Sequence, residues 1–173
     1  MNANIKKYWP KYKWSNVSAM IKNMRPAPKQ NPEPFLDRLV VITGATSGIG
    51  YRTARKYAEQ GAEVLMINRN AEKSEAVCSE IRSEFGAAIS YFIADLARLS
   101  EIQRAAEHLL SLPRPIDVLI HNAGVHQQMR HENVDGLEEN FAIHVLCPLI
   151  ITKMLIPKYQ RDQTGRILLV SSE

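Results

Sequence analysis

Cysteine is scarce in this sequence. Its two cysteines, Cys78 and Cys147, form neither a disulfide framework nor a metal-ligand cluster, which points to a reducing, cytoplasmic compartment. No run approaches the roughly 18 apolar residues that a membrane-spanning helix needs. The apolar centre of a secretory signal is missing as well. Acid is missing from the start of the chain: before Glu33 stand Lys6, Lys7, Lys11, Lys13, Lys22, Arg25 and Lys29 and no carboxylate. Those seven leave 15 of the 22 basic residues against 18 acids, so the net charge of +4 does not describe the remainder. That remainder has no basic face of the kind nucleic acid requires. With 173 residues, 45% of them hydrophobic, the chain suits one domain with a real core.

Residues 1–35 read as a separate basic extension, and residues 36–173 as the folded domain. The extension holds both tryptophans, Trp9 and Trp14, and ends in the connector Pro26-Ala27-Pro28-Lys29-Gln30-Asn31-Pro32-Glu33-Pro34. Its prolines stiffen it and exclude regular helix. Trp14, Val17, Ser18, Ile21 and Met24 recur at helical spacing. Three readings stay open: a tail or helix lying on the domain, a basic aromatic helix that brings residues 1–25 to an anionic membrane surface, and a transit peptide.

From Arg38 onward strand and helix patterns alternate. Strands are expected at Arg38–Thr43, Glu63–Asn68, Ile89–Ile93, Ile116–His121 and Arg166–Ser171. Helices are expected at Ser47–Gln60, Ala71–Phe85, Ser100–Ser111 and Leu137–Leu155, with Gly61 and Gly86 as stops and His126–Asn133 as polar loop. Short apolar strands separated by helices imply right-handed crossovers and a parallel sheet buried on both faces.

The most telling stretch is Thr43-Gly44-Ala45-Thr46-Ser47-Gly48-Ile49-Gly50, between the first strand and the first helix. Gly44 allows a tight turn, Gly48 has no side chain to fend off phosphates, and Gly50 lets the helix sit close on the strand. The helix N-terminus then aims free N–H groups and partial positive charge at an anion. The spacing resembles the Thr-Gly-x-x-x-Gly-x-Gly of the short-chain dehydrogenase/reductase family. Further landmarks follow in that family's order: Asp95-Leu96 after strand three, Asn122-Ala123-Gly124 after strand four, Asp135-Gly136-Leu137-Glu138-Glu139-Asn140-Phe141 before the long helix, and Val170-Ser171-Ser172 ending strand five. The wording from Asp135 is similar to that of retinol-dehydrogenase-like reductases.

The resemblance implies an α/β fold: a Rossmann-type doubly wound parallel sheet of five strands in order 3-2-1-4-5, cut off after strand five. It implies a nicotinamide dinucleotide as cofactor and a small carbonyl or secondary alcohol as substrate, lipophilic if the retinol-type analogy extends that far. Cofactor contacts fall on Thr43, Gly44, Thr46, Ser47, Gly48, Ile49 and Gly50, on Asp95 and Leu96 near adenine, and on Asn122, Ala123 and Gly124 near the nicotinamide ribose. Asn122 is also expected to tie strand four to a neighbouring strand. After strand two the chain reads Asn68-Arg69-Asn70, with no acid before Glu72. An acid there would accept from the ribose hydroxyls and repel a 2′-phosphate. Arg69 instead offers a charged fork, and Asn68 removes the repulsion, so NADP is favoured over NAD.

For catalysis the resemblance assigns carbonyl polarisation to Ser172, with Ser171 the second choice. It also calls for a Tyr-x-x-x-Lys pair beyond that serine; the sequence runs to Glu173 and does not contain one there. His144 stands where the family has a relay asparagine, and is expected to be an interior, hydrogen-bonded histidine. Pro148, one turn later, is expected to kink the helix. His121 replaces another family asparagine and reads as structural. Two functions remain in view: the cofactor half of an NADP(H)-dependent reductase, or a catalytically inactive dinucleotide-binding module or truncated gene product. Strand five is expected to leave an open apolar edge, and a homo-oligomer is compatible with it.

Overall fold

The structure of the chain, a computed structural model, describes residues 34–127, 129–162 and 165–171. Residues 1–33 of the basic extension and Ser172 lie outside the described residues. Five strands alternate with helices: β1 (Leu39–Thr43), α1 (Gly48–Glu59), β2 (Glu63–Asn68), α2 (Ala71–Phe85), β3 (Ile89–Ile93), α3 (Leu99–Ser111), β4 (Val118–His121), α4 (Glu139–Phe141), a π-helical turn (Ala142–Leu146), α5 (Cys147–Asp162) and β5 (Arg166–Leu169). The strands form one sheet in the order β3-β2-β1-β4-β5, parallel throughout. This is the doubly wound α/β Rossmann order expected from the sequence.

The sheet is sandwiched because neighbouring side chains of a strand leave on opposite faces. Val41 joins Leu65, Ile67, Ile102, Leu109, Ile151 and Leu155, beneath α3 and α5. Val40 and Ile42 join Val64, Met66, Ala54, Ala58, Val77 and Ile81, beneath α1 and α2. All five residues of β1 are buried, as a strand between two helical layers must be. Each large aliphatic side chain so placed contributes roughly 1.5–3 kcal/mol by leaving water.

Local chemistry sets the helix ends. Asn70 caps α2 by accepting from Lys73 N–H at 2.8 Å, and Gly86 ends it at φ 62°, a left-handed geometry that favours glycine. Along α1 the residues packed on the sheet are Gly50, Ala54 and Ala58, all small and four apart, so this helix sits close. Buried Lys158 donates to the Leu112 carbonyl at 2.7 Å and closes the C-terminal end of α3.

The helix expected over Leu137–Leu155 differs. It begins at Glu139, widens into the π-helical turn, and continues as α5 to Asp162. Pro148 is the reason we assign to the widening. It has no N–H for the carbonyl one turn back, and a π turn accommodates the lost bond without a sharp break. The stretch Glu139–Gln160 is also apolar enough, with mean hydropathy 1.6, to cross a membrane by length and composition, contrary to the expectation of no such stretch. Within the fold Ile143, Cys147, Ile151 and Leu155 are buried at four-residue spacing, which is the face of a core helix.

The adjoining face carries Phe141, Val145, Leu149 and Ile156, all exposed, and β5 exposes Ile167, Leu168 and Leu169. β5 pairs with β4 on its inner side, and among the described residues its outer edge is unpaired. Open apolar edges template association.

His121, 4% exposed, holds Thr152 Oγ1 at 3.1 Å through Nε2. Its Nδ1 is buried with no hydrogen-bond partner among the described residues. Burial lowers its pKa from 6.5 to about 4. The unfolded chain takes up this proton first, so the stability gained by keeping His121 neutral is complete above pH 6.5 and is lost as pH falls towards 4.

Two outcomes follow. In sedimentation velocity the 173-residue chain self-associates, and L149K with L168K shifts it towards monomer; a sharp wild-type monomer that melts cooperatively would contradict this. In urea melts at stepped pH, H121N lacks a component of acid destabilisation, up to about 3 kcal/mol, that wild type shows between pH 6.5 and 4; parallel profiles would contradict the burial argument.

Candidate functional site

Parallel strands deliver their C-terminal ends to one side of the sheet. The chain leaves β1 towards β2 on one side and β4 lies on the other, so the strand order reverses beside β1. A crevice opens at such a switch point. Here it is a cavity of about 350 Å³.

The turn from β1 to α1 forms its floor. Gly44 turns at φ 68°, and a Cβ there would stand 2.7 Å from Ala123 Cα. Gly50 is packed more tightly: its Cβ would lie 2.3 Å from the Gly44 carbonyl oxygen and 2.4 Å from Asn122 Nδ2. Gly48 has φ 58° with open space where a Cβ would go. Ser47 precedes α1 in extended conformation, its side chain makes no capping bond, and the first turn has no acid. The N-terminal N–H groups of α1 thus face the cavity side with no carboxylate competing for them.

Thr43 and Asn122 hold this turn against β4. Thr43 Oγ1 accepts from the N–H groups of Asn122 and Ala123, each at 3.0 Å. Asn122 Nδ2 donates to the carbonyls of Thr43 at 3.1 Å and Gly44 at 2.9 Å. The expected tie from strand four to a neighbour is therefore present, and it runs to β1. Thr43 is buried and does not line the cavity; its hydroxyl makes this tie. Gly48 likewise does not line it; its left-handed φ starts the helix.

The other expected residues do line the cavity: Gly44, Thr46, Ser47, Ile49 and Gly50 on the turn, Asn68 and Arg69 after β2, Asp95 and Leu96 after β3, and Asn122, Ala123 and Gly124 after β4. Asn68 is buried and bonded through both ends of its amide. Its Oδ1 accepts from Ala45 N–H at 2.8 Å, its Nδ2 donates to Ser74 Oγ at 3.1 Å, and Ser74 in turn donates to the Asn70 carbonyl at 2.6 Å. This chain of bonds ties the glycine turn to the first turn of α2, with exposed Arg69 between its two anchored neighbours. Asp95 accepts from Ala97 N–H at 3.2 Å and pairs with Arg98 at 3.2 Å.

Sequence reasoning missed Val125 and Ile143, which also line the cavity. Val125 directly follows the Asn-Ala-Gly motif, and Ile143 precedes His144; only their adjacency marks them. His144 is exposed rather than interior, and its Nε2 lies beside the peptide groups of Val125. Asp135 has a structural part: its carboxylate accepts from Leu99 N–H at 2.8 Å at the start of α3. Cys147 is an inert thiol, since burial pushes its pKa up to about 12.

A short chain dehydrogenase family model matches residues 38–173. Human polyprenol dehydrogenase is 32% identical over 144 residues, covering 80% of this chain and 44% of that protein. Human retinol dehydrogenase 13 is 32% identical, covering 78% and 41%. The WW domain-containing oxidoreductase of Drosophila melanogaster is 38% identical, covering 79% and 34%. The chain thus spans less than half the length of these relatives. Among solved structures, a short-chain dehydrogenase from Sphingobium yanoikuyae in complex with NADPH superposes with a TM-score of 0.71 at 28% identity, covering 78% of this chain and 53% of that one. The family binds nicotinamide dinucleotides, and the glycine cradle beside α1 fits the pyrophosphate of one. Since the family match runs unbroken from β1 through β5, the chain belongs to the short-chain dehydrogenase/reductase family of oxidoreductases.

Proposed function

We propose that the chain is the cofactor-binding part of an NADP(H)-dependent oxidoreductase acting on a carbonyl or secondary alcohol, and that it works in the cytoplasm, with residues 1–25 able to meet a membrane surface. The observation that carries the cofactor choice is the end of β2. Asn68 supplies an amide where a carboxylate would repel a 2′-phosphate, and that amide is spent on Ala45 and Ser74. Arg69 stands at the cavity beside it, exposed, with a planar fork suited to phosphate.

In this reading the glycine turn and the α1 N-terminus hold the pyrophosphate, Arg69 the 2′-phosphate, Asp95 and Leu96 the adenine, and Asn122 to Gly124 the nicotinamide ribose. The dinucleotide supplies hydride chemistry when bound. Ser172 is proposed to polarise the substrate oxygen, and a Tyr-x-x-x-Lys pair would supply the proton. The 173 residues do not contain that pair after Ser172. The names of the polyprenol and retinol relatives support a lipophilic alcohol or carbonyl as substrate class.

His144 and Pro148 favour a second reading, a dinucleotide-binding module without catalysis, because the histidine replaces the family's relay asparagine and is engaged with Val125.

In titrations followed by nicotinamide fluorescence, R69E weakens NADPH binding at least tenfold and leaves NADH binding within about twofold, in keeping with the loss of one charge-assisted contact. Equal losses for both would remove the NADP assignment. G50A drives a methyl into the Gly44 carbonyl and the Asn122 amide, so it lowers stability by about 1–3 kcal/mol and weakens both dinucleotides. An unchanged urea midpoint would show that the close approach is not needed.

A further inference from the structure

His144 lies at the middle of the π-helical turn, with its ring against the segment that leaves β4. A Cβ on Gly124 would stand 2.8 Å from His144 Cε1, 3.5 Å from Nε2 and 3.6 Å from Nδ1. The ring therefore lies over Gly124, and glycine leaves it that space. Its Nε2 stands 3.2 Å from Val125 N and 2.9 Å from Val125 O. Gly124, Val125 and Ile143 line the cavity on its β4 side, and Arg69 lines it on the β2 side.

We propose that His144 is a positioning residue for the nicotinamide half of the bound dinucleotide: through Nε2 its ring latches the peptide groups of Val125, and so sets the backbone of residues 123–125. The proposal rests on the dinucleotide reading above. With the 2′-phosphate at Arg69 and the pyrophosphate on the glycine turn, the remaining half of the molecule falls on the β4 side. Asn122 already fixes the start of that segment to β1. Its far end is held from another element, by His144.

The latch has a built-in limit. A single imidazole nitrogen carries either a proton or a lone pair. With hydrogen on Nε2 it donates to the Val125 carbonyl; without it, it accepts from the Val125 N–H. One peptide group is served at a time. A glutamine amide reaches a similar distance and offers a donor and an acceptor together, so it can serve both.

The test compares wild type with H144Q, H144A and H144F, the last keeping a ring over Gly124 without the hydrogen bond. Two probes are titrated: NADPH, and adenosine 2′,5′-bisphosphate, which lacks the nicotinamide half. The proposal expects H144A and H144F to bind NADPH about three- to tenfold more weakly, the worth of one hydrogen bond. H144Q binds it at least as tightly as wild type, and all four proteins bind the bisphosphate alike. Should H144A fail to fold, H144F against H144Q decides. The proposal is overturned if H144F binds NADPH as wild type does, if H144Q is as weak as H144F, or if both probes weaken together. If wild type binds neither probe, the dinucleotide reading itself fails, and this inference with it.

Discussion

The tie between β1 and β4 is what the rest of the site depends on. Thr43 Oγ1 collects two N–H groups from the β4 exit, and Asn122 returns two bonds to the carbonyls of Thr43 and Gly44. These bonds bring two chain segments together at the place where the strand order reverses. They work only because the glycine turn has no Cβ in the way: Gly44 abuts the Ala123 backbone, and Gly50 abuts Gly44 and Asn122. A cavity bounded by bare backbone is the result. Its anion-binding character comes from the α1 N-terminus and not from a cluster of cations.

A second chain of bonds, from Ala45 through Asn68 and Ser74 to Asn70, holds the other side of the same turn. The turn is thus clamped between β2 and β4, while Arg69 projects between two anchored residues. Backbone anchored on either side of the exposed Arg69 is what the proposed 2′-phosphate reading draws on.

The same fold leaves one flank apolar and open. The buried stripe of α5 seats it on the sheet, while Phe141, Val145 and Leu149 form a neighbouring exposed stripe, and β5 exposes three aliphatic residues in a row. The α1 and α2 side of the sheet has no comparable stripe among the described residues. The chain spans less than half of the relatives it matches, and the exposed flank lies on the β5 side, next to the last described residues of the chain.

The strands and the helices up to α3 were legible in the sequence, because β1 to β3 are short apolar runs between helix stops and α2 carries its own Asn70 cap and Gly86 stop. The sequence also pointed to the turn between β1 and α1, because the spacing of Gly44, Gly48 and Gly50 encodes backbone geometry directly. It did not reveal that the Thr43 hydroxyl ties β1 to the β4 exit, nor that the Asn68 amide bonds Ala45, because both depend on partners 23 to 80 residues away. It placed His144 inside, as a hydrogen-bonded histidine. Tertiary structure decided otherwise: the π-helical turn beside Pro148 carries the ring outward over Gly124 and onto Val125. Residue types and local periodicity are written along the chain, whereas the face a side chain presents depends on how the turns beneath it are wound and on what packs across from them.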